Sequence, residues 1–259
     1  MLSFAEVDLG GIVGFNGLKN YLELFSDKLF WLALKNTLQY TLTYIIVGLF
    51  LSLFFAVLLN RNIRFINKNI YRAMFFFPVI TSEVAVSLVW RQLYDKNYGF
   101  LNRLLEPFGL AQDWLGNPNI ALWAITALCI WQGLGYYIIL FLSGLQAIPE
   151  YLYEAAEIDG AGPLKSFFKI TLPLLAPSMV LIFILAGISC FQVFTPMKLI
   201  TGGGPMNSTM TIGLLIYNQG FEYFERGIAS TTSYILFAIV LVFSILQKKV
   251  INKLLGQEE

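Results

Sequence analysis

The sequence predicts an all-α, polytopic membrane protein, and three observations carry that prediction. Of 259 residues, 57% are hydrophobic and only 13% are charged, about half the charge of an ordinary soluble domain. Long windows, 36–60, 114–149, 170–197 and 227–247, contain no charged residue at all. No stretch alternates polar and apolar residues as a membrane β-strand would. Helices are then the spanning structure that remains, because an unpaired backbone group in lipid costs several kcal/mol.

A bilayer core of about 30 Å takes about 20 residues of helix, so each window holds one span. Five are read, near 37–59, 71–92, 120–145, 174–197 and 228–247. The second contains one acid, Glu83. The third window is long, but Asn117, Pro118 and Asn119 break its beginning and leave room for a single span. The predicted organisation is an extracytoplasmic segment 1–36, a transmembrane domain 37–247 containing a loop at 146–173, and a cytoplasmic tail 248–259.

Basic residues set the orientation. Arg61, Arg64, Lys68, Arg72, Lys165, Lys169, Lys248, Lys249 and Lys253 fall in three short segments on one side. Lys19, Lys28, Lys35, Arg91, Lys96, Arg103, Lys198 and Arg226 are spread over nearly twice as many residues on the other. Density rather than number places the C-terminus in the cytoplasm and, with five spans, the N-terminus outside.

Composition also excludes function classes. A net charge of +1 gives no electrostatic reason to seek nucleic acid. The chain has no histidine, the commonest metal ligand and general base. Cys129 and Cys190 sit in apolar runs and read as buried structural thiols. No G-x-x-x-x-G-K-[ST] loop occurs, so any nucleotide chemistry belongs to another polypeptide. A membrane-embedded enzyme would need paired carboxylates or a similar constellation in the spans, and Glu83 stands alone there.

The loop 146–173 is far longer than a helical hairpin needs and reads as two short helices. Pro149 suits the first turn of one and Asp159-Gly160 its end. On it Glu150, Glu154 and Glu157 form an acidic stripe, and Ile148, Tyr151, Leu152, Ala155 and Ile158 an apolar one. Pro163 opens the second, with Leu164, Phe167 and Phe168 beside Lys165 and Lys169. A helix lying on anionic lipid shows lysine and arginine on its polar face; three glutamates fit a protein partner better. Pro173 interrupts or opens the following span.

Glu154-Ala155-Ala156, then Gly160, then Ile170-x-Leu172-Pro173 resembles the EAA signature of permease subunits of binding-protein-dependent ABC importers, with the spacing kept throughout. Gly17-Leu18-x-Asn20-Tyr21, Asn36-Thr37, Phe77-Pro78, Trp90, Tyr98-Gly99-x-x-Asn102, Trp131, Gly144–Pro149 and Thr201-Gly202-Gly203-Gly204-Pro205 are similar to the carbohydrate-uptake branch, the maltose-type and glycerol-phosphate-type permeases. The resemblance implies a multi-pass subunit of a bacterial or archaeal cell membrane. It implies pairing with a second permease, two ATPase subunits inside that use ATP and magnesium, and an extracytoplasmic solute-binding protein. No cofactor is expected in this chain. The branch usually has six core spans; here the chain starts where the first should have ended, and truncation is the expected reason.

By the resemblance, Glu154, Ala155, Ala156, Asp159, Gly160, Ile170, Leu172 and Pro173 form the ATPase-docking elbow, and Gly202, Gly203, Gly204 and Pro205 lie near the face meeting the binding protein. For the substrate path, polar groups inside spans are the candidates: Glu83, Gln132, Tyr136, Ser189 and Gln192, with Trp131 as a stacking face for a sugar ring. An ion-driven secondary transporter is the rival reading, although no internal repeat supports it. A permease for a non-sugar solute is another.

Overall fold

The computed structural model describes residues 2–8, 11–60 and 68–254, without the side chains of residues 8, 68–73 and 251–254. Arg61 and Arg64 therefore lie outside the described residues, as do 255–259 of the tail and the side chains of Lys68, Arg72 and Lys253.

The chain opens with a short hairpin absent from the sequence reading. Strands β1 (Ala5–Asp8) and β2 (Gly11–Phe15) pair antiparallel, with Ala5 opposite Phe15 and Asp8 opposite Gly11. Strands of four and five residues, the second with two glycines, are too short for a pattern to stand out. Helix α1 (Lys19–Ser26) follows. Asp27 then accepts a hydrogen bond from the Leu29 amide at 2.8 Å and starts α2, Lys28–Asn60. This first spanning helix begins nine residues ahead of position 37, because Lys28 and Lys35 are exposed on its surface and do not interrupt it. Tyr44–Gly48 forms one wide π turn within it.

The second expected span is broken into α3 (Lys68–Ile80) and α4 (Glu83–Leu93). Pro78 inside α3 has no N–H to offer the preceding turn, and Ser82 is extended, with ψ 125°. Glu83 is accordingly not in mid-helix: it is the first residue of α4, where the positive helix end favours a carboxylate. Short α5 (Phe100–Leu105) leads to the long α6 (Ala121–Gln146). The loop helices are α7 (Tyr151–Ile158) and α8 (Pro163–Ser166). After them come α9 (Leu172–Phe191), α10 (Thr195–Ile200), α11 (Ile212–Tyr217) and α12 (Arg226–Leu254). Among the described residues four helices are long and apolar enough to cross a membrane, and the broken α3–α4 pair makes a fifth.

The chain divides into two compact units. Unit one comprises residues 1–44, 81–129 and 189–241, and its core holds Leu24, Phe30, Ile125, Phe191, Met197 and Ile212. Cys129 and Cys190 are both buried there and free. Unit two comprises 45–80, 130–188 and 242–259, around Leu49, Ile138, Phe141, Leu175 and Ile182. Small residues bring its helices close, as expected where lipid gives no hydrophobic drive between helices. A Cβ on Gly144 would lie 2.6 Å from Ser178 Oγ, and one on Gly135 only 1.9 Å from the Phe75 carbonyl oxygen. Gly135→Ala should therefore force α3 and α6 apart at a cost of about 1–3 kcal/mol. Thermal unfolding in detergent should show a lower midpoint for it, while Gly14→Ala, with nothing within 4 Å of the added methyl, should leave the midpoint unchanged.

Candidate functional site

The loop between α6 and α9 folds as a rigid elbow. Its first helix starts later than the sequence suggested: Glu150 is the N-cap of α7, and Pro149 stands before it, its carbonyl accepting from the Leu152 amide at 3.3 Å. Gly160 ends α7 with φ +70°, a region that costs glycine little. The Ala161 amide donates to the Ala156 carbonyl at 2.8 Å and the Gly160 amide to that of Glu157 at 3.0 Å. These two bonds close a Schellman reversal and satisfy carbonyls that the helix end would leave bare.

Pro163 occupies the first turn of α8, as expected. The second loop helix is not separate from the following span, however. Phe167–Thr171 forms a π turn that runs directly into α9. Pro173 has no N–H to donate to the Lys169 carbonyl four residues back, and the helix widens just before it, where the Leu172 amide reaches back to the Phe167 carbonyl. Pro173 thus stands in the first turn of α9, and the elbow's second arm is one helix with the span. The arms are tied by the Tyr153 and Thr171 hydroxyls, 2.9 Å apart. A cavity of about 420 Å³ lies between them, lined by Asn60, Leu145, Tyr153, Glu157 and Phe167 among others.

The outer surface of the elbow is uncovered among the described residues. Glu150, Glu154, Glu157 and Asp159 are exposed, as are Ala155 and Gly160. The apolar stripe of α7 is also uncovered, with Tyr151 65% and Ile158 87% exposed, and Leu164 and Phe168 continue it at 76% and 60%. Ala156, Ile170, Leu172 and Pro173 are half-buried. Acidic and apolar stripes therefore lie side by side on the exposed surface of the elbow.

The Thr201–Pro205 segment is a second built structure, in unit one. Gly202 and Gly203 have φ +62° and +93°, and a Cβ on Gly203 would meet Met210 Cε at 2.7 Å. Thr209 Oγ1 donates to the Gly204 carbonyl at 2.9 Å, and the Thr201 and Thr209 hydroxyls lie 2.6 Å apart. From α2, Asn36 Nδ2 donates to the carbonyls of Asn207 and Met210, both at 2.9 Å, while Thr37 Oγ1 accepts from the Ile212 amide at 2.9 Å. Met206, at the tip, is 85% exposed. The segment is a braced loop rather than a loose turn.

Two other signature amides work in the same way. Asn20 donates to the carbonyls of Ser3 and Ala5 at 3.1 and 3.0 Å. Asn102 donates to Lys96 and Gln112 carbonyls and accepts from the Gln112 amide and from Trp114 Nε1. Beside it, the amides of Tyr98 and Asn97 donate to Asp95 and hold its carboxyl below the usual carboxylate range. The sequence carried these asparagines only as parts of a pattern; their roles required the loops they serve.

The six candidate path residues divide between the two units, three in each. Glu83, Ser189 and Gln192 are exposed residues of unit one. Trp131, Gln132 and Tyr136 belong to unit two; Gln132 and Tyr136 share a face of α6, and Trp131 and Tyr136 are 45% and 42% exposed. Among the described residues no three Cys, Asp or Glu side chains are placed to hold a metal.

Residues 45–255 match the family described as binding-protein-dependent transport system inner membrane component. The chain is similar to the multiple sugar-binding transport system permease protein of Streptococcus mutans, 39% identical over 239 residues, covering 92% of this chain and 82% of that protein. It is 36% identical over 237 residues to the trehalose/maltose transport system permease protein of Thermococcus litoralis, covering 91% and 79%. A solved bacterial ABC transporter involved in the import of alginate shares its fold, with TM-score 0.83 and 22% identity over 92% of this chain and 84% of that one.

Removing the Asn36 amide tests the bracing of the 201–211 loop. Asn36→Ala leaves two carbonyls unmet, at about 1–3 kcal/mol for a buried group. Hydrogen exchange at the amides of residues 203–210 should accelerate, and Asn36→Asp, which keeps the size but not the donor, should behave alike.

Proposed function

The chain belongs to the binding-protein-dependent transport system inner membrane components, and on that premise we propose that it carries a sugar or related solute as one of two permeases of an ATP-driven importer. The protein is a multi-pass membrane protein. Its relatives are transport permeases rather than enzymes. Sugar is the substrate class because the relatives named above are sugar permeases by description, and the related transporter of known structure also occurs in complex with a periplasmic protein loaded with an alginate pentasaccharide.

The observation that carries the mechanism is the exposed elbow, continuous with a span. Two ATPase subunits, which bind ATP and magnesium, seat α7 and the Gly160 reversal. Glu154 and its neighbours meet basic groups or backbone amides of the ATPase, and Ala155 and Ala156 allow close approach. Tyr151, Ile158, Leu164 and Phe168 lose their exposed apolar surface on docking. Because α8 runs through its π turn into α9, displacement of the elbow becomes displacement of a span. This reading sets the elbow and the C-terminus in the cytoplasm, and the 201–211 loop outside, where Gly202, Gly203, Gly204 and Pro205 approach the solute-binding protein. Gln132, Tyr136 and Trp131, with Glu83, Ser189 and Gln192, offer hydrogen bonds and a stacking face along the path, a set suited to hydroxyl-rich rings.

The reversal at Gly160 supplies the test. A non-glycine residue pays about 1–2 kcal/mol in this backbone region, and a β-branched one more, so the docking-competent elbow becomes roughly tenfold rarer or worse. In vesicles containing the assembled transporter, Gly160→Val should lose solute-stimulated ATP hydrolysis and uptake together, whereas Gly160→Asn, which tolerates positive φ, should retain both. Near-normal uptake by the valine variant would contradict the lever.

A further inference from the structure

Helix α1, Lys19–Ser26, shows three chemically distinct sectors when residues are placed about 100° apart. Asn20 and Leu24 point into the protein and are buried, Leu24 at 1% exposure. Lys19, Glu23 and Ser26 form an exposed polar sector. Leu18, Leu22 and Phe25, at the spacing i, i+4, i+7, form a separate exposed apolar sector, at 62%, 71% and 44%. A helix on a water-bathed surface has no use for the third sector. A helix at the boundary between protein, water and lipid uses all three.

The neighbouring span fixes the level at which α1 lies. Trp31, Lys35 and Leu42 are all exposed, and spacings of four and eleven residues put them on one line of α2. Beyond Lys35 that helix carries no charge as far as Asn60. Tryptophan marks the headgroup zone and lysine reaches it by its stem, so the line passes from interface to hydrocarbon just after Lys35. Trp31 Nε1 donates to the Phe25 carbonyl at 2.9 Å, and the two rings lie 6.2 Å apart. Only Asp27 separates the helices. The C-terminal end of α1 is thereby pinned at the headgroup level.

We infer that α1 is an interfacial anchor that lies in the membrane surface and immerses Leu18, Leu22 and Phe25 among phospholipid acyl chains. Binding strength in such helices follows the buried apolar area together with attraction of basic groups to lipid phosphates, and Lys19 and Lys28 are exposed to supply the latter. The anchor fixes the height at which α2 enters the bilayer and carries the hairpin above it. That the leaflet is the outer one rests on the orientation proposed above; the immersion itself does not.

Power-saturation spectroscopy on the assembled transporter in phospholipid nanodiscs tests this directly. Nitroxide labels are placed on single cysteines replacing Leu18, Lys19, Leu22 or Glu23; Cys129 and Cys190 are buried and stay in place. Labels at 18 and 22 should relax more with oxygen than with a water-soluble nickel complex, a positive depth parameter, and labels at 19 and 23 should show the opposite sign. The pattern should be the same with and without the solute-binding protein. A nickel-dominated signal at 22 would mean a water-exposed helix, and protection at 22 from both reagents would mean a protein occupant; either result overturns the anchor. Reaction of a cysteine at 23 with an impermeant maleimide in right-side-out vesicles reports the leaflet separately, so a failure of the orientation leaves the depth result standing.

Discussion

A buried backbone amide or carbonyl left without a partner costs about 1–3 kcal/mol, and that constraint accounts for the side-chain bonds made where this chain leaves regular helix. The chain departs often, with a broken second span, π turns at Tyr44–Gly48, Phe167–Thr171 and Asn218–Glu222, and a glycine-rich excursion after α10. At several of these places side chains meet the carbonyls and amides left over. The π turn at 167–171 immediately precedes Pro173, which has no N–H to donate. The excursion at 201–211 is met by Asn36, Thr37 and Thr209, the N-terminal hairpin by Asn20, and the connection after α4 by Asn102. Four of these five are side chains that rise from helices to serve loops.

This constraint also explains why the elbow is stiff enough to serve as the proposed handle. An elbow joined to its span by a flexible linker would move without moving the span. Here the reversal at Gly160 is closed by two amide bonds, the arms are joined through Tyr153 and Thr171, and the second arm is continuous with α9. Its surface, uncovered among the described residues, carries acidic and apolar side chains in mixture, the composition of a protein-docking face rather than of a lipid-facing one.

Much of this was legible in the amino-acid sequence, and the differences have physical causes. Charge-free windows located four spans because a charge in mid-bilayer costs about 3 kcal/mol or more. The same criterion placed the start of α2 too late, since Lys28 and Lys35 sit on an exposed surface of a helix already formed. It also joined α3 to α4, because hydropathy does not register that Pro78 and an extended Ser82 end a helix. Gly160 and Pro163 were readable because their roles depend on backbone geometry intrinsic to the residue. The elbow's fusion with α9 was not readable, since Pro173 is equally compatible with a stop and with a first turn. The duties of Asn20, Asn36 and Asn102 lay hidden because an amide's partner can be over 170 positions away, as Met210 is for Asn36.

The central claim is that the elbow meets a nucleotide-hydrolysing partner on the cytoplasmic side. The most direct measurement places a photo-crosslinking benzoylphenylalanine at Tyr151, an exposed aromatic position on α7, in cells expressing the whole transporter. Illumination should yield one adduct of permease plus ATPase subunit, and the adduct should vanish when the ATPase is omitted. A crosslink to the solute-binding protein, or to lipid alone with the ATPase present, would contradict the account.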